Sequence, residues 1–141
     1  MIPKKLIKIA KEKYGMIRLD YFNDESASGY CEFNEGIIYI NLNKNKNRSE
    51  YYSTLFHELG HIHCYKNNIW KKYHIVKKRI SDLTKEEKLG LIRTGLKAEV
   101  WVDKWAEKEM KKYYPNLKYH QSYRTTSSKK WLHKNYLSKF K

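Results

Sequence analysis

Ser49-Glu-Tyr-Tyr-Ser-Thr-Leu-Phe-His57-Glu58-Leu59-Gly60-His61-Ile62 is the stretch on which the reading of this chain turns. Its apolar residues, Tyr51, Tyr52, Leu55, Phe56, Leu59 and Ile62, recur at helical spacing but cover more than one face. That pattern belongs to a buried helix rather than a surface one. Ser49 is a good N-cap, so the helix is predicted from about Glu50 to Tyr65 or Lys66. Within it His57 and His61 stand four residues apart and share a face. Two imidazoles so placed can both reach one tetrahedral zinc ion. Glu58, between them, lies beside the metal without binding it. There it can take a proton from an activated water and pass it to a leaving amine. With 6 His and 11 Glu in 141 residues, chance supplies this His-Glu-x-x-His spacing on the order of 0.02 times.

The sequence upstream is β-like. Tyr30–Phe33, a turn at Asn34-Glu-Gly36 and Ile37-Ile-Tyr-Ile-Asn-Leu42 read as a hairpin, and Met16–Phe22 alternates as a strand does. Residues 3–14 form a predicted helix, with Pro3 in its first turn and Gly15 at its end. An apolar strand directly before the His-Glu-x-x-His helix is the order in which a zinc peptidase provides a ledge for an extended substrate. Ile38, Tyr39, Ile40 and Asn41 are therefore the candidate substrate-binding residues, their backbone pairing with the substrate as an added strand.

Zinc needs a third protein ligand. A metzincin arrangement would place it six residues after His61 with a glycine three after, but Asn67 and Cys64 stand there. Thr84-Lys-Glu-Glu87 is a capping box that opens a further helix. Gly90 and Gly95 could bend this helix before it runs on to Tyr114, where Pro115 ends it. Its stripe Leu89, Ile92, Leu96, Glu99, Asp103, Ala106, Met110 steps by three and four and puts two carboxylates on the core side. Buried carboxylates require positive partners. Glu99 is the expected third ligand, and Asp103, one turn on, the acceptor that fixes the tautomer of His57 or His61. Asp103 and His74 remain alternative ligands. Cys64 or His63 would complete a closed, purely structural site, although His63, two residues from His61, is expected to pack elsewhere. An oxyanion donor is sought among Tyr73, His74 and His120, with Tyr119 and Tyr123 as further candidates.

His57-Glu58-x-x-His61 followed by Glu99-x-x-x-Asp103 resembles the gluzincin metallopeptidases. The wording His-Glu-Leu-Gly-His-Ile and the hairpin-then-helix order are most similar to the ImmA/IrrE metallopeptidases of bacteria, phages and mobile elements. Val102, Asp103, Trp105 and Ala106 fit the second block of that family, with Glu99 two residues ahead of the position where the block carries its glutamate. The resemblance covers about residues 30–110. It implies an α+β zincin-like domain with a small sheet of about three strands, antiparallel or mixed, an active-site helix and a second, ligand-bearing helix. It also implies one Zn2+ per chain and a protein substrate, often a DNA-binding repressor.

Composition bounds the rest. A chain of 141 residues with 15% aromatics and two prolines is one globular domain, not a disordered or fibrous chain. Residues 1–115 form the expected domain and 116–141 a basic, aromatic tail, with a short helix expected over 129–139. No apolar run approaches the roughly 18 residues of a membrane span, and lysines interrupt the apolar residues at the start, so a cytoplasmic protein is expected. Cys31 and Cys64 make no disulfide framework and are expected reduced. Thirty Lys and Arg against fifteen Asp and Glu give a net charge of +15. A Lys, Asn, Ile and Tyr bias of AT-rich coding would produce such an excess without function. Read functionally, it predicts attraction to polyanions, and it supports the alternative of a non-proteolytic scaffold that binds nucleic acid or a protein.

Overall fold

The computed structural model describes residues 1–69 and 84–121, with the side chains of 87–96 excepted. Its elements are α1 (Lys4–Tyr14), β1 (Arg18–Phe22), β2 (Gly29–Glu32), β3 (Ile37–Asn41), α2 (Arg48–Lys66) and α3 (Lys85–Tyr113). The described part is α+β with three helices and one small mixed sheet. No described helix is long and apolar enough to cross a membrane. Trp70, Tyr73, His74, Tyr123 and the helix expected over 129–139 lie outside the described residues.

Local rules account for most boundaries. Pro3 caps α1, and Gly15 ends it in the left-handed region at φ 77°, where only glycine is unstrained. The cap of α2 differs from expectation. Asn47, extended in backbone, accepts from the Glu50 amide at 3.0 Å, and Ser49 lies inside the helix. Both residues are competent caps; the turn from β3 places Asn47 at the bend. α3 runs unbroken through Gly90 and Gly95.

α2 is the centre of the molecule. Every residue from Tyr52 to Ile62 is buried. Leu55, Phe56, Leu59 and Ile62 have no exposed surface, and each contributes roughly 1.5–3 kcal/mol of apolar burial. The sheet packs on one side of α2 through Ile38 and Ile40. α3 packs on another through Ala106 and Met110, and α1 through Leu6, Ala10 and Tyr14.

The strand order is β1-β3-β2, with β1 parallel and β2 antiparallel to β3. This corrects the expected substrate ledge. β3 is the middle strand, both of its edges are occupied, and Ile38, Ile40 and Asn41 are fully enclosed. The apolar run of β3 reflects its place in the middle of the sheet, with Ile38 and Ile40 turned to α2 and a strand on either edge. Among the described residues the edge beside α2 belongs to β2, through Gly29–Glu32.

Asn41 has a structural task instead. Its side-chain amide donates to the Asp24 and Ala27 carbonyl oxygens at 3.0 Å each, and its Oδ1 accepts from the Asn43 amide at 2.9 Å. These bonds close the loop between β1 and β2. Asn41→Leu strands those buried groups and is expected to cost about 2–3 kcal/mol in urea denaturation. A change under about 0.5 kcal/mol would contradict this role.

Candidate metal centre

His57 and His61 project from the third and fourth turns of α2 toward α3, where Glu99 meets them. His57 Nε2 lies 2.9 Å from Glu99 Oε2, His61 Nε2 lies 3.2 Å from Glu99 Oε1, and the two Nε2 atoms are 3.3 Å apart. Metal–ligand bonds of roughly 2.0–2.1 Å in a tetrahedron give an edge of about 3.3 Å. The three groups therefore already stand close to the separations a zinc ion requires. All three residues are buried, and they are the group of His, Cys, Asp and Glu side chains among the described residues that could hold a metal ion. The donor set, two imidazole nitrogens and one carboxylate, fits zinc.

The approach of the two helices depends on Gly60. A Cβ there would sit 2.7 Å from Val102 Cγ1 and 3.2 Å from the Trp105 ring. The glycine lets α3 come close enough for Glu99 to reach both histidines. On the other side of α2, a Cβ at Gly29 would sit 2.6 Å from Thr54 Cγ2 and 2.9 Å from the Tyr39 carbonyl oxygen. This glycine lets β2 lie tight against the helix at the level of the site.

Asp103 takes the orienting role. Its Oδ1 accepts from His57 Nδ1 at 2.9 Å, which leaves Nε2 as the nitrogen turned to Glu99 and His61. The same oxygen accepts from the Tyr119 hydroxyl at 2.6 Å. Tyr119 is buried, and burial together with the Asp103 charge pushes its phenol far above the usual range, so it remains a donor. Tyr119 thus holds the group that holds His57 and is committed away from an oxyanion role. Sequence spacing gave no hint of this, because Tyr119 arrives from the irregular segment after Pro115.

His120 is not part of the centre. Its Nε2 meets the Ser49 hydroxyl at 2.9 Å and its amide donates to Ser53 Oγ at 2.9 Å, at the opposite end of α2 from His61. It fastens the returning chain to the helix, which corrects its place among the oxyanion candidates. Tyr73 and His74 lie outside the described residues. His63 stacks on Trp105, ring centroids 4.9 Å apart, and burial lowers its pKa. Cys64 is fully enclosed, and burial pushes its thiol up to about 12. Neither joins the converging atoms, so the described residues supply three ligands and not the four of a closed site.

The three converging groups open into a cleft of about 180 Å³ lined by Gly29, Tyr30, Cys31, Phe33, His57, Glu58, His61 and Glu99. Glu58 stands on its wall, 7% exposed and outside the ligand group. Cys31 was missed as a cleft residue. It points inward from β2 opposite Ile38, and burial plus the neighbouring Glu58 charge raises its pKa well above the ordinary thiol value.

Comparison of the chain with protein-family models, with curated proteins and with solved structures returned no match.

Electrostatics set the metal-free state. Burial opposes a charge on His57, but the hydrogen bonds it donates to the Asp103 and Glu99 carboxylates outweigh it and lift its pKa to about 10. Burial likewise opposes the Glu99 charge, but the charge and hydrogen bonds of His61 and His57 hold it far below the usual carboxylate range. His57 must therefore give up a proton before a cation binds. Zinc affinity at the metal-free protein is expected to rise about tenfold per pH unit from pH 6.5 to 8.5; a flat profile by chelator competition would contradict the assignment. The folded-state value of His57 is raised from 6.5 to about 10. The metal-free protein thus holds this stabilisation fully below about pH 6.5 and loses it as pH rises through about 10.

The orienting pair gives a second expectation. Asp103→Ala should weaken zinc about 10–100-fold, and Tyr119→Phe in the same direction by a smaller factor. Unchanged affinity in both variants would remove the pair from the centre.

Proposed function

We propose that the protein is a zinc metallopeptidase of gluzincin type, with a zincin-like fold most similar to the ImmA/IrrE metallopeptidases. The observation that supports this best is the convergence of His57, His61 and Glu99 at near-tetrahedral separations in an open cleft, with a non-ligating carboxylate, Glu58, on the same wall. A structural zinc site is closed by four protein ligands, whereas a catalytic one keeps a position open.

When bound, zinc supplies the Lewis acidity that polarises a peptide carbonyl and acidifies the attacking water. The chain's own residues do the remainder. His57, His61 and Glu99 hold the ion, and Asp103, itself held by Tyr119, fixes His57 with Nε2 toward it. Glu58 takes the proton of the attacking water and returns it to the leaving amine. The free edge of β2 offers backbone groups to an extended substrate, with Tyr30 and Phe33 alongside its side chains. A cytosolic protein is the substrate class this reading favours, in line with the repressors that members of the resembled family cleave.

Glu58→Gln and Glu99→Ala separate the elements of the reading. Metal analysis of untagged protein is expected to show about one zinc per chain in wild type and in Glu58→Gln, and a sharp loss in Glu99→Ala. Incubation with a peptide library from a bacterial proteome, read by mass spectrometry, is expected to show cleavage by wild type and none by Glu58→Gln. Cleavage surviving in Glu58→Gln would overturn the assignment of the base. Absence of zinc after incubation with the metal would overturn the centre itself.

A further inference from the structure

The positive charge of the chain is segregated. Residues 16–69, which carry the sheet, α2 and the cleft, hold 5 Lys and Arg against 7 Asp and Glu, a net of −2. The other 87 residues hold 25 against 8, a net of +17. Codon bias alone would spread lysine over every surface, and it does not produce a cleft-bearing half of opposite sign.

On α3 the excess is ordered further. Lys97, Lys104, Lys108, Lys111 and Lys112 are all exposed. At 100° per residue the first four fall within about 60° of arc, and they extend over about 21 Å of helix axis. Glu99, Asp103, Ala106 and Met110 occupy the opposite arc against α2. Lys111 is paired with Glu107 at 3.0 Å and Lys112 with Glu109. Among the described residues Lys97, Lys104 and Lys108 meet no carboxylate within ion-pair distance. A helix that needed only solubility would interleave both signs on this face, as its own flank does at Glu107 and Glu109.

We propose that the exposed lysine face of α3 binds the phosphate backbone of duplex nucleic acid, on the side of α3 facing away from the metal centre. A line of like charges about 21 Å long gathers counterion-release energy from a duplex, whose charges lie roughly 1.7 Å apart along the axis. The four lysines meet phosphates rather than base edges, and Trp101 beside them is half-buried and stacked on His63, so binding is independent of sequence. The occupant is nucleic acid rather than an anionic membrane because the apolar face of α3 is committed to α2. Among the described side chains of α3, Val100 is the one large apolar residue left exposed, too little surface to insert beside the lysines. The cleft stays open while the face is engaged. The proposal is independent of the peptidase reading, because no ligand or base takes part in it.

The test is fluorescence anisotropy with a labelled 20-base-pair DNA duplex across a salt series, using the full chain. Wild type is expected to bind at about 50 mM NaCl with log K falling against log[salt] at a slope of about −3 to −4, and with little change between two unrelated sequences. Replacing Lys97, Lys104 and Lys108 together by Glu is expected to weaken binding more than tenfold and to flatten the slope by about 3. The matching replacement of Lys4, Lys8 and Lys11 on α1 makes the same change in net charge and should cost clearly less. The milder Lys97→Gln, Lys104→Gln, Lys108→Gln variant, with zinc affinity as the check on folding, should show the same order. No binding by wild type would overturn the proposal. So would equal losses in the α1 and α3 variants, which would mean bulk charge alone. Tighter binding to phosphatidylserine vesicles than to the duplex would overturn it in favour of a membrane surface.

Discussion

His57 is almost wholly enclosed, yet each of its ring nitrogens meets a carboxylate, Asp103 at Nδ1 and Glu99 at Nε2, both at 2.9 Å. Taking such groups out of water costs several kcal/mol per ion, and only close, well-directed partners offset it. The contact between α2 and α3 is therefore set by electrostatics as much as by packing. A small slide of either helix would leave a carboxylate buried without its imidazole. Gly60 permits the close approach, and Val102, Ala106 and Met110 fill the space around it with apolar contacts that keep the polar atoms in register.

The same constraint reaches outward. Asp103 can serve His57 only if its own orientation is held, and Tyr119 holds it from a segment that has already left α3. His120 then fastens that segment to Ser49 and Ser53. On the far side, Gly29 brings the edge strand against α2, so the cleft has Tyr30, Cys31 and Phe33 on its β side and His57, Glu58, His61 and Glu99 on the helix side. The two thiols, both raised by burial, stay protonated and outside the ligand set. The polar centre is thus supported from three directions and open on one side.

Much of this was legible because helical periodicity is local. The His57, His61 pair and the Glu99, Asp103 stripe follow from rises of three and four residues, and such spacing fixes a face wherever the helix lies. The hairpin of β2 and β3 was legible from its turn for the same reason. The choice of strand to offer a substrate was not. Edge or centre is decided by which strand pairs from afar, and β1 takes the side of β3 that the sequence order left open. The apolarity of Ile37–Ile40 marked a buried strand but not whether its edges were free. Tyr119 and His120 were both sought as oxyanion donors and take other roles, because an irregular segment has no period from which a direction could be read.

The sequence by itself determined the residue types of the candidate site, their spacing and the helices that carry them, since each rests on contacts within a turn or two of chain. Only the tertiary structure decided that Glu99 meets both histidines, that Asp103 serves His57 and not His61, that Tyr119 stands behind it, and that β2 forms the edge of the cleft. Those outcomes depend on the distance and rotation between elements far apart in the chain. That geometry is fixed by close packing at Gly60 and Gly29 and by the need to pair every buried charge, and no local pattern encodes it.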